Sequence, residues 1–121
     1  MIRGIRGAIT IKQNDADEIL VETTKLLQAI IEANNVTADS VSSVIATTTP
    51  DITSAFPARA VRTYEGWDYV PVMCMHEMDV EGALPLCIRL MVHVETDVSQ
   101  KEIQHIYLND AVKLRPDLVN K

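Results

Sequence analysis

Between Val70 and Val94 the chain reads VPVMCMHEMDVEGALPLCIRLMVHV, two apolar runs separated by a loop that Gly82 and Pro85 keep irregular. Alternation in the second run puts Ile88, Leu90, Val92 and Val94 on one face and Cys87, Arg89, Met91 and His93 on the other. A face carrying Cys87 and Met91 is not plain solvent surface, yet it holds a guanidinium. Left unpaired in such a place, that charge costs on the order of several kcal/mol. Glu77, just past the end of the first run, is an opposite charge that such a guanidinium could face. The pair points to a site for a small anion. Pro71 confines the first run to a sheet edge or to the opening residues of a strand.

With 121 residues, the sequence is expected to form one domain over 1–121, large enough to bury roughly two-thirds of its unfolded surface. Apolar residues make up 47% and charged residues 23%, ordinary for a globular chain. A net charge of −6 argues against a nucleic-acid partner, which selects a basic face. No apolar run reaches membrane-spanning length, so no membrane partner is expected. MIRGIRG lacks the apolar segment of a secretory signal, and two cysteines without one read as free thiols. The expected location is the cytoplasm. Six of the eleven basic residues are arginines, several beside apolar or small residues. That setting suits carboxylate or phosphate recognition, although each arginine alone could equally lie along the surface on its aliphatic stem.

Read in order, Ile2 to Lys12 forms a strand with Ile5, Ile9 and Ile11 on one face and Arg6, Ala8 and Thr10 on the other. Gly4 and Gly7 allow something to approach Arg6 closely. Asn14 or Asp15 caps a helix reaching about Asn34, with a stripe of Ile19, Leu20, Thr23, Leu26, Leu27, Ile30 and Ile31 and a wet side of Glu18, Glu22, Lys25 and Glu32. Thr37 caps a short turn, Val41 to Thr49 is a β-branched strand, and Pro50 ends it. Pro57 opens a short helix over 58–64 that Gly66 closes, with Arg59 and Arg62 on one face. Gln100 to His105 reads as a helical turn, Ile106 to Leu108 as a last strand, and 111–114 as a final turn before Pro116. Strands alternating with helices give an α/β or α+β fold: a mixed sheet packed with helices.

Cys74 with His76 or His105 could serve as nucleophile and base, but neither histidine has a fixed orienting partner, and a buried thiol is the commoner meaning. Cys74, His76, Glu77, Cys87 and His93 lack any recognised metal-ligand spacing, so no metal is expected. No phosphate-binding glycine loop is present and no cofactor is expected. What remains is arginines, one glutamate, one tyrosine and apolar walls. Such a site works by holding an anion in a reactive shape and meeting the charge that develops on it.

The blocks IRGIRGA, TPDI, AFPARAVR, GWDYVPVMCMHEMDV, CIRLM, IQHIYLNDAV and LRPDL run in order along nearly the whole chain. Together they resemble the monofunctional chorismate mutases of the trimeric α/β-barrel class. The resemblance implies a homotrimer with a barrel-like core of sheets and sites between subunits. It implies a cofactor-free Claisen rearrangement of chorismate to prephenate, in phenylalanine and tyrosine biosynthesis. By the same matching, Arg89 meets the ether oxygen, Glu77 and Cys74 contact the ring hydroxyl, and Arg6 and Tyr107 bind the side-chain carboxylate. Phe56, Ala58 and Leu114 line the apolar part, and Val72, Met73, Met75 and His76 count among the substrate-contacting positions. Arg59, Arg62 and Arg115 meet the other carboxylate near the mouth.

Arg59 stands where that family commonly has lysine, and Met73 where it has a small hydroxylic residue. Only a short tail follows Arg115. Two rivals are an enamine/imine deaminase-like enzyme, which needs a carboxylate that activates water, and a non-catalytic trimer that binds small carboxylates.

Overall fold

The computed structural model describes residues 1–114, which form a five-stranded mixed sheet with helices on one side. The strands are β1 (Ile2–Thr10), β2 (Val41–Thr48), β3 (Val72–His76), β4 (Cys87–Glu95) and β5 (Ile106–Leu108). Their order across the sheet is β3-β2-β4-β1-β5. β4 runs antiparallel to both β1 and β2, while β3 is parallel to β2 and β5 is parallel to β1. The edge position expected of the Pro71 run is therefore where β3 lies. The two runs of residues 70–94 are not neighbours, however, because β2 lies between them.

Helix α1 (Ala16–Asn34) begins at Asp15, whose carboxylate accepts the Glu18 N–H, and ends at Asn35 in the left-handed region. Ile19, Leu26, Leu27 and Ile30 are fully buried against Ile5, Ile9, Ile88, Leu90 and Val92. Gly7 is what lets α1 approach so closely: a Cβ there would stand 2.6 Å from Ile30 Cδ1 and 3.0 Å from Leu26 Cδ1. Glu22, expected on the wet side, is half-buried, while neighbouring Val21 is exposed. The short helix α2 (Ala58–Arg62) follows Pro57 and packs with α1 and β3.

Three boundaries move inward, β2 ending at Thr48 among them, and one element changes. β1 stops at Thr10, and the second helix at Arg62. The turn expected over 100–105 is a single 3-10 turn, Gln100–Glu102, closed by reciprocal bonds between Ser99 and Glu102. His105 lies beyond it and accepts the backbone N–H of Arg6 through Nδ1 at 3.0 Å. A ring nitrogen thus satisfies a backbone N–H of β1.

Among the described residues the sheet's other face carries no α-helix, and the 3-10 turn Asn109–Lys113 lies over its β1–β5 end, burying Ala111 beside Ala8 and Tyr107. Paired residues point the same way, so Tyr107, Ala8, Arg89, Thr47 and Met75 form one row across the five strands. Arg6, Met91, Ile45 and Met73 form the next row, and Met73 is 66% exposed. Among the described residues no helix is long and apolar enough to cross a membrane.

Candidate active site

Arg89 sits mid-row on the helix-free face, and Glu77 comes to it from the end of β3. The Glu77 N–H donates to Thr48 O at 2.8 Å, extending the β2–β3 ladder by one bond. Alternation then throws its carboxylate onto the helix-free face. Glu77 Oε2 lies 3.0 Å from Arg89 Nε and accepts the Thr47 hydroxyl at 2.5 Å. The Nε contact is an ion pair by distance, while its N–H direction misses hydrogen-bond alignment. Arg89 is thus met side-on by Glu77, and its side chain, 40% exposed, also lies beside the Cys87 thiol.

On the adjacent strand, Arg6 Nε donates to the Tyr107 hydroxyl at 3.1 Å. Arg6 and Arg89 are diagonal neighbours on this face, because Arg6 pairs with Met91 and Arg89 with Ala8. Tyr107, Cys87, Ala8 and Ala111, with Leu84 and Leu114, form a small apolar floor beside them. The final turn is tied down by Asn109, whose side chain donates to Thr10 O at 2.8 Å, and by Thr10 Oγ1, which accepts the Asp110 N–H. Burial pushes the Cys87 thiol up to about 11 despite the adjacent Arg89.

A second group gathers on the helix side of edge strand β3. Phe56, Arg59, Arg62, Cys74 and His76 line a cavity of about 660 Å³, bordered also by the edge-strand residue Met75 and by residues of the α1 N-terminus. Cys74 Sγ accepts the Ala58 N–H at 3.3 Å, and burial raises its pKa against the pull of that N–H and of Arg62. His76 Nε2 is 3.0 Å from Ile52 O. Phe56 is 73% exposed. Val72 packs onto the core on this same side, and Met73 stands outside both groups on the helix-free face.

The expected residues therefore fall into two sets on opposite faces of one sheet. Arg6, Glu77, Arg89, Tyr107 and Leu114 form one; Phe56, Ala58, Arg59, Arg62, Cys74 and His76 form the other. Cys74 and Glu77, close in sequence, do not share a face. Arg115 lies outside the described residues. Among the described residues no cluster of histidine, cysteine and carboxylate side chains is arranged to hold a metal ion.

Thr47 and Asp51, absent from the sequence-based set, and His105, weighed there only as a base, shape the site. Thr47 bonds Glu77, His105 holds the Arg6 backbone, and Asp51 bonds Thr49 Oγ1 and the Leu86 N–H, fixing the entry to β4. Leu86 has φ +50°, a left-handed backbone that the Asp51 bond helps hold. Only strand pairing brings Thr47 to Arg89, and local sequence carries no signal of it.

Compared with known families, residues 2–118 match the family described as chorismate mutase type I. The chain belongs to that family. Among curated members, it is 52% identical to chorismate mutase AroH of Bacillus subtilis strain 168, over 98% of this chain and 93% of that protein. It is 44% identical to chorismate mutase AroH of Thermus thermophilus, over 98% and 97%. A solved chorismate mutase from Clostridium thermocellum superposes with a TM-score of 0.87 at 50% identity, covering 90% of this chain and 96% of that one. Membership in the chorismate mutase type I family fits the site's chemistry, which offers fixed cations and hydroxyls in place of an activated nucleophile.

Proposed function

We propose that this chain, as one chorismate mutase domain over 1–121, converts chorismate to prephenate in aromatic amino-acid biosynthesis. The observation that carries the reading is the pair of arginines on one sheet face. Arg89 is held side-on by Glu77, and Arg6 is held by Tyr107. The substrate is a dianion that rearranges within itself, so catalysis needs shape and charge and no proton transfer. Breaking the ether bond builds negative charge on oxygen, and the planar end of Arg89 is the donor for it. An arginine keeps its charge there at any working pH. Glu77 Oε1 accepts the ring hydroxyl, and Arg6 with Tyr107 takes the side-chain carboxylate. Each charge-assisted bond contributes about 1.5–3 kcal/mol net.

The second carboxylate falls to Arg59, Arg62 and Arg115, with Phe56, Ala58, Cys74 and His76 as the wall of that half. In one chain the two halves face away from each other across the sheet. They converge when the β3 edge of one copy meets the helix-free face of another, which is the homotrimer of the proposal. The apolar side chains Ile45, Met73, Met75 and Met91 on that face support it, since lone chains rarely leave such patches to water. The cytoplasm is the proposed location, and the side chains named here suffice for the reaction.

The test is loss of chorismate absorbance with purified protein, with prephenate identified as product. Arg89→Ala should lower kcat on the order of 10²–10³-fold, by analogy with a lost oxyanion donor. Absence of turnover by the unmodified protein would refute the assignment.

A further inference from the structure

We propose that Thr47 is a positioning residue for this reaction, acting through Glu77 to keep the terminal nitrogens of Arg89 free for substrate. The inference rests on the activity proposed above. Thr47 pairs with Arg89 across β2 and β4, so its hydroxyl shares the face on which the guanidinium lies. It donates to Glu77 Oε2 at 2.5 Å, the same oxygen that stands 3.0 Å from Arg89 Nε.

A carboxylate facing an arginine without other guidance favours the parallel two-bond fork, which engages a terminal nitrogen as well. With Oε2 held by the hydroxyl, Glu77 meets Arg89 at Nε. The arrangement divides the groups cleanly. Oε2 is shared internally, which leaves Oε1 as a further acceptor, and the Arg89 side chain is 40% exposed, which lets its Nη groups serve an outside acceptor. Nothing about the strand requires a hydroxyl at position 47, because valine has the same branching and suits a pleated strand equally well. Among the described residues, the hydroxyl's hydrogen bond goes to Glu77.

The experiment compares Thr47→Val and Thr47→Ser in the full-length protein, alone and with Glu77→Gln, using chorismate as substrate. Thr47→Val should lower kcat about 10–100-fold, the loss of one bond to a charged group. KM should stay within about threefold, since the bond acts on the transition state. Thr47→Ser should restore most of kcat. In the Glu77→Gln background, valine should make little further difference, because the two residues act as a unit. A merely structural hydroxyl moves melting temperature without this split between kcat and KM; Thr47→Ala replaces valine if the latter does not fold. Full kcat in Thr47→Val, equal losses for serine and valine, or an undiminished loss beside Glu77→Gln overturns the proposal. An unmodified protein without turnover sinks the activity assignment and this role together. Turnover shared by the unmodified protein and Thr47→Val sinks this role alone.

Discussion

Cys74 and Cys87 lie on opposite faces of the sheet, and both thiols are raised by burial. A nucleophilic cysteine works as its thiolate, and both environments suppress that form at neutral pH. Cys74→Ser should therefore keep most of the turnover that Arg89→Ala loses. If the serine variant were as inactive as the alanine one, a covalent route would replace the rearrangement proposed here. Cys87 also makes a prediction about alkali. Its folded pKa of about 11 exceeds the ordinary value of 9.0. As pH rises past 9, the unfolded chain gives up this proton before the folded one does, so the native state loses stability up to about 11. Melting temperatures from pH 8 upward should fall less steeply in Cys87→Ala than in the unmodified protein; parallel slopes would contradict the burial argument. Arg89 beside that thiol is what keeps the shift from being larger.

Helix α1 shows where local sequence suffices. Its apolar stripe, its Asp15 cap and its Asn35 end are all encoded within a few residues of where they act. Asp15→Ala should cost about 1 kcal/mol, read as a lower denaturant midpoint at constant slope. Gly7 is the other half of that packing. Gly7→Ala should destabilise by about 1–3 kcal/mol, because the new methyl group meets Ile30 and Leu26 in a filled core. An unchanged midpoint would mean that α1 shifts freely, contrary to its buried contacts. The alternation of β4, and so the unusual placing of Arg89, was equally legible, as was the edge position implied by Pro71. What sequence could not supply was strand order. The insertion of β2 between β3 and β4 depends on pairings between distant segments, and it alone puts Thr47 under Glu77. For the same reason Cys74 and Glu77 look like partners in sequence, while the pleat turns them apart. His105 reads as part of a helical turn because its neighbours suit one, and its bond to the Arg6 backbone is visible only once β1 and β5 are side by side.

The division of the site across two faces is a statement about the whole assembly. If the halves meet between copies, two differently damaged proteins should repair each other. Arg89→Ala spoils the helix-free face and Arg62→Ala spoils the β3 edge, so each homo-oligomer should be nearly inactive. Unfolding and refolding an equal mixture should recover roughly a quarter of the normal activity, the share of interfaces that pair two intact halves. No recovery, or a fully active monomer by mass measurement in solution, would place both halves within one chain. The sheet order has a separate bearing on how the protein is made. β1 leaves the ribosome well before its partners β4 and β5. During synthesis the Ile5 and Ile9 face can rest on α1, but both edges of β1 stay unpaired until residues beyond Cys87 have emerged. Such long-range pairing slows folding and leaves strand edges open to wrong partners in the meantime. The nascent chain thus carries Arg6 long before the strand that brings it to Arg89, and competence for catalysis waits until β4 and β5 have followed.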